Sequence, residues 1–67
     1  MDHEFDVFET FPDSSIEWRG CVRGTILAHA KLAGLSRETA NSCFAIDLVT
    51  RAILHGVNGI SKAFAAA

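Results

Sequence analysis

The chain has 67 residues, a formal net charge of −2 and a hydrophobic content of 49%. This length allows one domain with a small core, the apolar content excludes a disordered chain, and no apolar run approaches the ~20 residues that cross a membrane. The six basic residues are scattered, which disfavours generic nucleic-acid binding because phosphate-binding proteins gather lysine and arginine on one surface.

The first predicted element is a β-hairpin over residues 5–23, centred on a Pro-Asp-Ser-Ser turn at residues 12–15. Pairing Phe11 with Ile16 sorts the side chains of the two strands by polarity. One face is then apolar except for Glu9, which lies opposite Trp18. The other face is polar except for Phe8, which lies opposite Arg19. A shift of one residue would invert this sorting, so the pattern predicts a register as well as a hairpin.

A helix over residues 26–35 follows, with Thr25 as its N-cap. Its apolar residues fall on two stripes at helical spacing. The first consists of Ile26, Leu27, Ala30, Ala33 and Gly34, and its small side chains allow a close approach to a sheet. The second consists of Ala28, Leu32 and Leu35. A helix on one sheet needs a single stripe, so we expect the second to meet the C-terminal tail or another subunit.

The segment 43–57 contains several β-branched residues and shows no single apolar helical face, which favours two strands joined near residues 48–51. The predicted fold is therefore α+β, with an antiparallel sheet, one covering helix and the order ββαββ over residues 1–59. The alternative is a helix from residue 39 to residue 55, which would give an N-terminal hairpin followed by two or three helices.

The tail, residues 60–67, is rich in alanine and is predicted to be a short or frayed helix, because an isolated helix of this length is marginal in water. Ile60 and Phe64 are four residues apart and would share one helical face. They are candidates for covering Leu32 and Leu35.

Few residues suggest catalysis or metal binding. The three histidines and two cysteines do not follow the spacings of preorganised metal sites, so we expect no metal and no cofactor. Cys21 combined with His29 or His55 is the pairing that could support nucleophilic catalysis. The predicted hairpin places Cys21 beside Asp6, whose charge disfavours the thiolate, so we do not expect an enzyme.

Three residues on the predicted polar face are candidates for partner binding. Arg19 and Arg23 would lie about 13 Å apart on one strand, with Phe8 as the aromatic side chain beside them. The competing interpretation is that carboxylates on the same face pair with both arginines as solvated ion pairs. Trp18 is expected in the core, with its indole N–H donating to Glu9.

These patterns predict a small, non-enzymatic protein-interaction module that forms a homodimer, with Leu32, Leu35 and Phe64 in the subunit contact. Residues 1–4 lack the basic start and apolar core of a signal peptide, so we expect a cytoplasmic protein with reduced cysteines. One alternative is a small nucleic-acid-binding regulator that uses Arg19 and Arg23. The other is a minimal enzyme or ligand-binding subunit that uses Cys21 with a histidine.

Overall fold

A computed structural model of the chain describes residues 2–56. In chain order its elements are β1 (Glu4–Thr10), β2 (Ile16–Arg23), α1 (Thr25–Glu38), β3 (Cys43–Asp47) and β4 (Ile53–His55). The strands form one antiparallel sheet in the order β2-β1-β3-β4, and α1 packs on one of its faces. The predicted order ββαββ is confirmed, and the alternative of a hairpin followed by helices is wrong. The predicted tail helix, with Ile60 and Phe64, lies outside the described residues.

The turn between β1 and β2 forms where the sequence predicts it. The carboxylate of Asp13 accepts hydrogen bonds from the Ser15 amide, at 2.9 Å, and from the Ser15 hydroxyl, at 2.6 Å. Ser14 adopts a positive φ of 73°, and its amide donates to the Phe11 carbonyl at 2.9 Å. Side-chain acceptors of this kind stabilise turns because they replace backbone partners.

The turn between β3 and β4 lacks glycine, and hydrogen bonds to the Asp47 side chain stabilise this turn instead. One carboxylate oxygen accepts hydrogen bonds from the amides of Val49 and Thr50, at 2.8 and 3.2 Å. The Asp47 carbonyl accepts from the Arg51 amide at 2.8 Å, and Arg51 has a φ of 68°. An aspartate at the end of a strand therefore allows residues 43–55 to form a hairpin.

The core lies between α1 and the face of the sheet that α1 covers. Its buried apolar residues are Phe5, Val7, Ala28, Leu32, Leu35, Cys43 and Ala45. Cys43 is thus a core residue. Leu32 and Leu35 are only 2% and 1% exposed, so they contact the chain's own sheet and are not free for the predicted subunit contact.

The opposite stripe of the helix faces away from the sheet. Ile26 is 82% exposed, and Leu27 and Ala30 are also exposed. The two helix stripes therefore lie on the opposite sides from those predicted. In the middle and last turns of α1, Leu32 and Leu35 fill the space above the sheet better than Ala30, Ala33 and Gly34 would.

The bounds of α1 also differ from the prediction. Its N-cap is Gly24, without a side-chain hydrogen bond to the first turn, and Thr25 is its first helical residue. It ends at Glu38, three residues beyond the predicted end, and the Thr39 amide donates to the Leu35 carbonyl at 3.0 Å. Within residues 2–56 no helix combines the length and the apolar character needed to cross a membrane.

The pairing of β1 with β2 changes register at its middle. From Glu4 to Val7 each residue has the predicted partner, which confirms the pairs of Glu4 with Arg23 and of Asp6 with Cys21. From Phe8 onward the partner moves by one residue, so that Phe8 lies opposite Trp18. This β-bulge turns Trp18 away from the core, and Trp18 is 59% exposed. Its predicted place in the core, with Glu9 as partner, is wrong.

We predict that Leu32→Ala lowers the free energy of unfolding by about 2–5 kcal/mol, because it leaves a cavity between α1 and the sheet. Leu27→Ala is the matched control, since it removes the same atoms from the exposed side of the same helix, and it should change stability by no more than about 0.5 kcal/mol. Urea unfolding followed by circular dichroism measures both. Equal losses in the two variants would contradict the orientation of α1.

Candidate interaction surface

The side of the sheet opposite α1 carries a continuous group of apolar side chains. We call this side the open face, because no other element of residues 2–56 covers it. Its members follow from the cross-strand pairs, since directly opposed residues share a face of a sheet. They are Glu4, Asp6, Phe8, Thr10, Ile16, Trp18, Cys21, Arg23, Phe44, Ile46, Ile53 and His55.

An aromatic row crosses the middle of the open face. Trp18 on β2 lies opposite Phe8 on β1, Phe8 lies opposite Phe44 on β3, and Phe44 lies opposite His55 on β4. The rings of Phe8 and Phe44 are stacked, with centroids 5.4 Å apart and planes inclined by 24°. Trp18, Phe8 and Phe44 therefore form an aromatic row across β2, β1 and β3.

Aliphatic side chains extend this strip on both sides. Ile46 and Ile53 form a cross-strand pair next to the row, and Ile16 lies at its other side, where the hairpin begins to turn. Ile16 and Ile53 are each more than half exposed. Ile16 also borders a groove of about 520 Å³ at the hairpin tip, together with Phe11 and Pro12. The apolar surface thus extends from β4 to the tip of the hairpin.

The charged groups of the open face lie among and beyond these apolar residues. Asp6 accepts a hydrogen bond from the Trp18 indole at 3.3 Å, which fixes the orientation of the ring. At the far end of the strands Arg23 donates to Glu4 at 3.1 Å. The face therefore holds both signs of charge, and its arginine is paired within the chain.

The structure separates the three predicted partner-binding residues. Phe8 lies at the centre of the open face and Arg23 at its end, but the β-bulge sends Arg19 to the side that faces α1. The predicted pair of arginines on one face is therefore wrong. Sequence reasoning also missed Trp18 and Phe44 as surface residues. The alternation of Phe44 and Ile46 along β3 was the available signal for Phe44.

A second group of polar side chains surrounds Glu9 on the buried side of the sheet. We call Glu9, Arg19, Thr39 and Asn41 the Glu9 cluster. Glu9 is 2% exposed, and one of its oxygens accepts from Arg19 at 2.6 Å. The other oxygen accepts from the Thr39 hydroxyl at 2.9 Å and from the Asn41 amide at 2.8 Å.

These contacts keep Glu9 ionised. The hydrogen bonds from Asn41 and Thr39, together with the charge of Arg19, outweigh burial and lower the pKa of the Glu9 carboxyl below its ordinary value. Arg19 also lies 3.5 Å from Glu38 at the end of α1. The cluster therefore links β1, β2, the end of the helix and the connection to β3.

A smaller polar contact joins the start of the chain to the β3–β4 turn. His3 and Asp47 are hydrogen-bonded through Nδ1 and Oδ2 at 2.7 Å, beside a groove of about 180 Å³. Burial raises the pKa of the Asp47 carboxyl. The hydrogen bonds from His3 and from the Val49 and Thr50 amides together have the larger effect, and they lower this pKa to about 2. Since the other Asp47 oxygen caps the turn, this pair supports the ends of β1 and β3.

Cys21 does not lie beside His29 or His55, the two histidines with which it could support nucleophilic catalysis. Cys21 lies on β2 and His55 on β4, the two edges of the sheet, which are separated by three strand spacings or about 14 Å. His29 lies on α1, on the other side of the sheet. Among residues 2–56 no group of three or more His, Cys, Asp and Glu side chains is arranged to hold a metal ion.

No protein-family model, curated protein or solved structure matches this chain. The open face and the Glu9 cluster are therefore the features on which a function can be proposed.

We predict that a thiol reagent modifies one cysteine of the native chain, Cys21, because Cys21 is exposed and Cys43 is buried. Partial burial and the charges of Glu4 and Asp6 raise the pKa of the Cys21 thiol. At neutral pH Cys21 should therefore react more slowly than it does in the urea-unfolded chain, and the rate should rise as the pH approaches that pKa. Mass spectrometry of timed samples measures both rates. Faster reaction in the native state would show an activated nucleophile and contradict this assignment.

Proposed function

We propose that this chain is a non-enzymatic protein-interaction module that forms a homodimer by packing the open faces of two copies together. The observation that carries the proposal is the aromatic row of Trp18, Phe8 and Phe44, placed on the side of the sheet that α1 leaves uncovered. A contiguous apolar patch rimmed by polar residues is typical of a protein interface. Aromatic side chains are also the residues that most often dominate binding energy.

A second copy suits this face for two reasons. Within residues 2–56 the core of one copy is a single layer of seven buried apolar residues. A domain of this length rarely gains more than ~3–5 kcal/mol from its core alone. Two sheets packed face to face, about 10 Å apart, would add a second apolar layer to each copy. The face also carries both signs of charge, in Asp6, Glu4 and Arg23, so that two identical faces are not driven apart by a common charge.

The sheet edges are less suitable for self-association than the face. β4 is only three residues long, and β2 contains the β-bulge together with Glu17, Arg19 and Arg23. Short, bulged and charged edges hinder the pairing of strands between molecules. Contact through the face is therefore the better supported arrangement.

The subunit contact first predicted for this chain needs revision. Leu32 and Leu35 are core residues, and Phe64 lies outside the described residues. In the proposed dimer their place is taken by Trp18, Phe44 and Ile53. Phe8 keeps its predicted role as an aromatic anchor.

Nucleic-acid binding, the competing hypothesis, requires cationic side chains that are free to contact phosphates. Arg19 and Arg23 lie on opposite sides of the sheet, and each forms an ion pair with a glutamate. Stacking on the aromatic row would still be available to bases, but Glu4 and Asp6 on the same face would repel phosphates. The two free thiols, Cys21 and Cys43, suit a reducing compartment such as the cytoplasm.

We predict that the native chain is a dimer and that Trp18→Ala raises its dissociation constant at least about thirty-fold, the equivalent of about 2 kcal/mol for an aromatic anchor. Sedimentation equilibrium over a concentration series gives the constant for each protein. Ile26→Ala is the matched control, because it truncates an apolar side chain that is more exposed than Trp18 but lies on the helix. It should leave the constant unchanged.

Two results would contradict a homodimer that forms through the open face. One is a native chain that stays monomeric at every concentration, and the other is a dimer that Ile26→Ala weakens and Trp18→Ala does not. A salt series distinguishes the competing hypothesis, since apolar association changes little with salt whereas binding of an oligonucleotide falls steeply.

A further inference from the structure

The β-bulge in β2 decides which side chain the open face presents. Val7 pairs with Gly20 and Phe8 pairs with Trp18, which leaves Arg19 as the extra residue without an opposite partner on β1. In a regular ladder side chains alternate, so Arg19 would lie on the open face and Trp18 on the buried side. The bulge exchanges the two side chains. It therefore adds the indole to the aromatic row and removes a cation from it.

The buried carboxylate of Glu9 gives a physical reason for this exchange. Glu9 must point to the side that α1 covers, because its neighbours Val7 and Phe5 alternate with the open-face residues of β1. A buried carboxylate is strongly disfavoured unless it is paired with a cation and hydrogen-bonded. In the regular register its opposite residue would be Trp18, which offers one N–H donor and no charge. In the bulged register Arg19 reaches Glu9 at 2.6 Å.

The surrounding residues accommodate the bulge. Gly20 has a φ of 137°, a conformation that residues with a Cβ rarely adopt, so a glycine next to the extra residue suits the distorted strand. The aliphatic part of Lys31 lies over Gly20, 3.7 Å from the position that a Cβ would occupy. Thr39 and Asn41 hold the second Glu9 oxygen, so the carboxylate keeps its orientation.

We infer that Glu9 and Arg19 are positioning residues for the open face, and that their ion pair selects the bulged register in which Trp18 joins Phe8 and Phe44. This inference rests on the proposed function only in treating the open face as the surface that binds. The register itself is a property of one copy. The same sequence also allows the regular register, in which Trp18 lies opposite residue 9, so the pair chooses between two strand alignments.

The test is the strand register of Glu9→Val, read from nuclear Overhauser contacts across β1 and β2. Without the carboxylate of Glu9, Arg19 keeps only the longer, exposed contact with Glu38 on the side that faces α1. An exposed ion pair contributes little, so we expect Phe8 to face residue 19 instead of Trp18. The fluorescence of Trp18, the one tryptophan of the chain, should shift to shorter wavelength as the indole moves under α1. Glu17→Val is the matched control, because it removes a carboxylate from the same rung and leaves the Glu9–Arg19 pair intact.

A second variant covers the case in which Glu9→Val does not fold. Deleting Arg19 in the Glu9→Val background removes both the extra residue and the cation that has lost Glu9, and leaves Trp18 opposite Phe8 without a bulge. We expect this double change to restore folding with Trp18 on the open face.

The inference is overturned if Glu9→Val folds with the bulge unchanged, or if deleting Arg19 fails to rescue an unfolded Glu9→Val. A native chain that sediments as a monomer would refute the homodimer but would leave both of these register measurements valid.

Discussion

A carboxylate on the covered side of a sheet needs a cation and hydrogen-bond donors, and in this fold Glu9 obtains them because Arg19 leaves the regular pairing of β2. The rest of the sheet follows from that contact. The strand gains a bulge beside Gly20, the end of α1 approaches β2 through Glu38, and the connection to β3 supplies Thr39 and Asn41 to the same carboxylate. One polar contact thus organises the hairpin, the helix end and the third strand.

The two faces of the sheet consequently differ in role. The face under α1 holds the core, in which Leu32 and Leu35 pack on Val7 and its neighbours. The open face holds an aromatic row that gains Trp18 through the bulge. Because a chain of this size has little apolar surface to spare for its own stability, we propose that the aromatic strip left outside the core packs against a second copy of the chain.

Much of this architecture was predictable from sequence. Alternation along residues 5–23 gave the hairpin and half of its register, and β-branched residues favoured strands over 43–57. The second half of the register was not predictable in the same way. Alternation describes each strand separately, whereas the bulge depends on Glu9 of β1, which needs Arg19 of β2 as its cation.

The helix stripes were misassigned for a related reason. Both stripes are apolar, and only the packing of α1 above Val7 and Ala45 shows that the leucines belong in the core. Phe8 was found as a lone aromatic, but its neighbours Trp18 and Phe44 depend on the bulge and on the β1–β3 pairing.

An isotope-filtered nuclear Overhauser experiment on an equimolar mixture of labelled and unlabelled chains tests the open-face homodimer, because it detects only contacts between copies. We expect contacts from the Trp18 indole and the Phe44 ring of one copy to open-face side chains of the other. Intermolecular contacts confined to Ile26 and Leu27 on the helix, or none at concentrations where the native protein should be dimeric, would contradict it.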